Sequence, residues 1–166
     1  HINAIAIQAD GKIIAAGLTG FDLDFADFAL ARYNPDGSLD NSFGNGGKVV
    51  TDISGPNKNY INDIVIQANG KIIAVGSGGD DAGFAVVRYN PNGSLDLSFG
   101  NNGKVLTDFD TWEEATTVAL QADGKIIAAG RVSGNNIEMT DYAVARYNPD
   151  GSLDNSFDED GKTTTD

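Results

Sequence analysis

Short apolar runs broken by turn residues recur along the whole chain. The segments Ile13 to Gly17, Ile72 to Gly76 and Ile126 to Gly130 are almost continuously apolar, which predicts strands covered on both faces. Phe28 to Tyr33 alternates instead: Phe28, Leu30 and Arg32 share one side, and Ala29, Ala31 and Tyr33 share the other. Shorter runs at Lys48 to Asp52 and Asp63 to Gln67 are rich in β-branched residues and bounded by Gly, Asn and Asp, so they also read as strands. No helix-sized window carries an apolar period of 3.6 residues. Trp112 to Thr117 forms a helical turn at most. Asp10-Gly11, Asn69-Gly70 and Asp123-Gly124 sit between consecutive strands and predict two-residue type I′ hairpins.

These runs are copies of one unit. The stretch Gln8 to Gly17 returns at Gln67 to Gly76 and Gln121 to Gly130, and Arg32 to Asp40 returns at Arg88 to Asp96 and Arg146 to Asp154. A third block, Gly47 to Asp52, returns at Gly103 to Asp108 and, degraded, at Gly161 to Asp166. The intervals are 54–59 residues, and each unit holds four short strands. This predicts an all-β chain: a β-propeller of four-stranded antiparallel blades, in preference to a β-solenoid, whose coils are shorter. The expected boundaries are 1–46, 47–102 and 103–160. Residues 161–166 form a strand completing the first blade, so that one blade is split across the termini, either within the chain or in a partner.

The strings DGKIIAAG and FALARYNPDGSLDNSFGNGGKVVTD resemble the delta-60 repeat, a bacterial repeat family classed with β-propellers. The resemblance covers nearly the whole chain, three times over. It implies a propeller, often part of a large secreted or surface protein. It brings no activity, cofactor or binding residue with it.

Three blades are too few to close a ring, which takes about 4–8. The expected answers are a six-bladed pair of chains, a strand-exchanged filament, or further blades of a longer polypeptide. The closed pair is the favoured one. The chain opens on His1, which suits a processed product or a fragment.

Charge and composition narrow the function. With 11 Lys and Arg against 24 Asp and Glu, the net charge is −13, which disfavours nucleic acid and anionic membranes. There is no cysteine and a single histidine, so thiolate metal sites, thiol catalysis and histidine triads are excluded within one chain. No apolar run approaches a membrane span, so no membrane insertion is expected. Strong acidity without cysteine fits a secreted or cell-surface location.

Two sets of residues are candidates for chemistry. The Asn-Pro-Asp-Gly-Ser-Leu-Asp turns carry Asp36, Asp40, Asp96, Asp150 and Asp154. Oxygen ligands around a glycine turn suit a hard cation, so calcium is the candidate ion, although the terminal bidentate Glu of a calcium loop is missing. The competing reading makes each a type I turn, with one Arg–Asp pair per blade built from Arg32, Arg88 and Arg146. The second set lies on loops that differ between copies: Phe21, Asp22, Asp24, Asp27, Tyr60, Asp80, Asp81, Trp112, Glu138 and Asp141. Topology puts these loops at one end of the blades, where recognition of calcium, a glycan or a protein would occur. No pair of carboxylates stands out as a glycosidase would require, so no enzyme and no resident cofactor are expected. The expected function is a structural or assembly module of an extracellular bacterial protein, the alternative being a ligand-binding module that uses the varied acidic end.

Overall fold

The computed structural model describes residues 1–19, 26–53, 58–78, 83–110, 112–133 and 140–166. Among the described residues, twelve strands run in chain order. The first four are β1 (Ile2–Ile7), β2 (Ile13–Leu18), β3 (Phe28–Tyr33) and β4 (Lys48–Thr51). The second four are β5 (Tyr60–Ile66), β6 (Ile72–Gly78), β7 (Gly83–Tyr89) and β8 (Lys104–Thr107). The last four are β9 (Trp112–Leu120), β10 (Ile126–Ser133), β11 (Thr140–Tyr147) and β12 (Lys162–Thr165). They form three four-stranded antiparallel sheets, the three expected propeller blades. The first strands lie innermost, with β1 against β5 and β5 against β9.

The blade boundaries differ from the sequence expectation by one strand. Lys48–Thr51 closes the first sheet by pairing with β3, and Lys162–Thr165 closes the third by pairing with β11. Each blade is therefore a continuous piece of chain, and no blade is split across the termini. The turns after β3 explain this. Asn34 N–H donates to Ser38 O, Asp40 N–H to Arg32 O, and Arg32 N–H to Gly47 O. That ladder folds the chain straight back onto β3, whereas the next connection leads on to a new blade.

Two local expectations also change. The hairpins between the first and second strands are not type I′ turns. Only the glycine has positive φ (Gly11 81°, Gly70 80°, Gly124 86°), and its N–H donates to the residue three before it. This is a type I turn followed by a left-handed glycine, the usual three-residue hairpin. Trp112 to Thr117 is strand, not a helical turn. A bulge hides it: Ala115 opposes Gly130 and Thr117 opposes Ala129, which leaves Thr116 extra and breaks the alternation. The same bulge occurs at Asn3 in β1 and at Asn62 in β5.

Blade two is covered on both sides. All of β6 is buried, as the apolar run predicts. Ile64, Ile72, Ala74, Val87 and Tyr89 face Ile14, Ala16, Phe28 and Leu30 of blade one. On its other side, Ile73, Val75, Phe84 and Val86 face Val118, Ile126, Ala128 and Tyr147 of blade three.

Candidate functional site

The aspartate turns are structural joints. Asp40, Asp96 and Asp154 each lie at the end of such a turn and are 6% exposed. The Oδ2 atom of Asp96 accepts Arg88 Nε at 2.6 Å and Lys71 Nζ at 2.7 Å, while Oδ1 accepts the Ser98 N–H and hydroxyl. Asp40 is held likewise by Arg32, Lys12 and Ser42, and Asp154 by Arg146, Lys125 and Ser156. The Ser42 hydroxyl, then Lys12, hold the Asp40 carboxyl well below the usual carboxylate range. At Asp154 Lys125 leads and Ser156 follows. At Asp96 burial works against ionisation but is outweighed by Lys71 and Ser98. A cation at these carboxylates would have to displace an arginine and a lysine. Asp36 and Asp150 are exposed and cap their own turns, accepting the N–H and hydroxyl of Ser38 and of Ser152. Among the described residues, no three His, Cys, Asp or Glu side chains converge as a metal set.

The varied end is partly described. Phe21, Asp22, Asp24, Asp80, Asp81 and Glu138 lie outside the described residues. Asp27 is half-buried, and burial, then the nearby Asp52, raises its carboxyl pKa. Tyr60 carries the Lys58 ammonium 5.0 Å from its ring centre. Burial, then Glu114, pushes its phenol up to about 12. Trp112 lies 5.3 Å beneath the Arg131 guanidinium. Asp141 sits apart, opposite Val132 in the β10–β11 register. Glu114 links Tyr60 and Trp112: it accepts Arg131 at 2.7 Å and Asn62 at 2.7 Å. The sequence reading missed Arg131 and Asn62. Their signal was present for Arg131, which stands where the other copies have Leu18 and Ser77.

A feature absent from the sequence reading is larger. The first and third blades each leave one sheet face uncovered. Ile2, Ile5 and Ile7 on blade one are 64%, 68% and 70% exposed, while their counterparts Ile61 and Ile64 on blade two are 0% and 7%. A groove of about 620 Å³ runs over this face, lined by Ile2, Ala15, Ala29, Ala31, Tyr33 and Val50 among others. On blade three, Tyr142 is 75% exposed where Phe28 and Phe84 are fully buried. These two faces are the exposed apolar surface that the described residues gather into patches, whereas Leu97 and Leu106 stand singly.

The family model described as "Domain of unknown function (DUF5122) beta-propeller" matches residues 8–43, 67–99 and 121–157. The chain belongs to that family. No curated protein matches it. Each DUF5122 match begins at the glutamine before the first hairpin and spans the Arg–Asp joint, so the joint lies inside the family's own repeat. The bulge residues Asn3, Asn62 and Thr116 fall outside the matched segments.

Proposed function

We propose that this DUF5122 chain is a non-enzymatic structural module whose task is assembly, within a secreted or surface protein of a bacterium. One observation carries the reading: two sheet faces with the character of a blade interior are left uncovered at opposite ends of the blade stack. The repeated charged groups support it, because they are already engaged with one another inside each blade, and Arg32 and Arg88 also reach the next blade. The extracellular setting and the finer assignment to delta-60 repeats rest on the sequence resemblance and on the acidic, cysteine-free composition.

The rival role is a ligand-binding module. Trp112 beside Arg131 and Glu114 favours it, since a half-exposed aromatic next to an ion pair suits contact with a glycan or protein. A thermal melt in the presence of calcium, together with a glycan array, tests the assembly reading. The melting temperature is expected to stay fixed on adding calcium, and the array to stay silent. A calcium-dependent rise or a glycan response would move the assignment to ligand binding.

A further inference from the structure

We infer that the Ile2–Ile5–Ile7 face of one copy receives the Tyr142–Val144 face of a second copy of this chain, twice over, closing two chains into a six-bladed ring. This inference rests on the assembly reading and names its partner.

The chain contains the proposed interface twice already. At each internal junction, an arginine of one blade donates to a proline carbonyl of the next: Arg32 to Pro91 at 2.6 Å, and Arg88 to Pro149. A main-chain bond runs beside it, from Gly44 N–H to Asn92 O and from Gly100 N–H to Asp150 O, both at 2.8 Å. A buried tyrosine of the following blade meets a threonine of the preceding outer strand. Tyr89 donates to Thr51 at 2.9 Å, and Tyr147 lies 2.7 Å from Thr107. A lysine reaches back as well, Lys104 to Asp52 O and Lys162 to Asp108 O.

The third instance of every contact is present as two separated halves. Blade three offers the Arg146 guanidinium, the Asp158 N–H, the Thr165 hydroxyl and the Asp166 carbonyl. Blade one offers the Pro35 carbonyl, the Asp36 carbonyl, the Tyr33 hydroxyl and the Lys48 ammonium. Among the described residues, none of these eight groups has its cross-blade partner. Exposure agrees. The Arg146 side chain is 20% exposed against 7% for Arg32 and Arg88. Asp158 has φ 45°, matching Gly44 at 53° and Gly100 at 50°, so its N–H is already set for the bond. A β-carbon on Gly93 would meet Phe43 and Val49 of blade one, and one on Gly151 would meet Phe99, yet one on Gly37 would meet nothing. The Gly37 turn therefore has the shape of a docked turn with nothing docked against it.

The occupant is a copy of this chain because every group required of the partner occurs on this chain at the matching place. The two faces differ from each other, so the contact is head-to-tail, and head-to-tail contacts form rings when the rotation closes. Six blades fall within the range that closes.

Sedimentation equilibrium of the 166-residue chain is expected to give twice 17.3 kDa. Ile5→Glu and Val144→Glu each change one open face and are expected to give folded monomers with unchanged circular dichroism. Mixing the two variants restores one intact interface, so a mixed dimer should appear. Tyr33→Phe should weaken the pair about fivefold per interface, the value of one hydrogen bond. A monomeric wild-type chain, a Val144→Glu dimer, the absence of mixed dimers, or open-ended polymers would each overturn the ring. A covalent tandem of two copies separates this inference from the reading beneath it. If the single chain is monomeric but the tandem melts well above it, the assembly reading stands and only the free second copy fails. If the tandem gains nothing, both fail.

Discussion

Arg32, Arg88 and Arg146 occupy one place in three blades. Each donates through Nε to its aspartate, and each lies over a phenylalanine ring, at 4.6, 4.5 and 4.8 Å. The cover differs, however, and so should the energetics. Removing one partner of a buried pair leaves a stranded charge and costs about 3–5 kcal/mol. Urea unfolding of Arg88→Met is expected to approach that loss. In the monomeric Ile5→Glu variant, Arg146→Met should lose clearly less, because there the Arg146 guanidinium has no proline carbonyl across a blade junction and its side chain is 20% exposed. The aspartates set an acid limit. Their folded carboxyl pKa values lie below the unfolded value, so their stabilisation is complete above the unfolded carboxylate pKa of about 4 and is lost as pH falls through the folded values. Melts below about pH 4 should show this decline, and Asp96→Asn should flatten it. The Arg–Asp pair was legible because both residues recur in step. The third member, Lys12, Lys71 or Lys125, was not, because it arrives from a hairpin distant in sequence and only strand register brings it there.

At the level of single elements, the innermost strands carry a device that the hydrophobic pattern conceals. A bulge in β1, β5 and β9 turns a main-chain carbonyl toward the neighbouring strand, where Gly17, Gly76 or Gly130 leaves room. A β-carbon on Gly76 would run into the carbonyl of Tyr60. Gly76→Ala is therefore expected to cost about 3 kcal/mol or more, the scale of overpacking a tight core, read as a lowered urea midpoint. The bulged asparagines reach across as well: Asn3 donates to Ile61 O and Asn62 to Ala115 O, stitching neighbouring blades near the axis. Strand positions were legible from apolar runs and turn residues. Their partners were less so, since Lys48 to Thr51 lies between two candidate sheets and only the hydrogen-bonded turns after β3 assign it. Trp112 to Leu120 was hidden for a related reason: Glu113, Glu114 and the extra Thr116 erase the period of two.

For the whole molecule, protection should follow cover. Blade two is sandwiched, while blades one and three each present a bare sheet. Hydrogen exchange on the monomeric Ile5→Glu variant should find β6 and β7 slowest, with β1 and β12 exchanging early. In the closed ring this gradient should vanish, because every blade would then have two neighbours. The propeller was legible from the repeat alone, as was the count of three blades. The uncovered surface was not. The sequence reading looked for an open edge at a lone terminal strand, whereas the exposed apolar side chains lie on two whole sheet faces, and only side-chain exposure reveals that.

The contiguity of each blade bears on how such chains grow. Every sheet is completed before the chain moves on, and among the described residues the joins between blades, after Thr51 and after Thr107, lie outside the hydrogen-bonded ladders of the sheets. A duplication or deletion with both breakpoints at these joins would add or remove one finished sheet and leave the others intact. The number of blades in such a lineage would then change by whole units through simple unequal recombination. Near-identical neighbouring copies, such as Arg32 to Asp40 and Arg88 to Asp96, are what that process leaves behind.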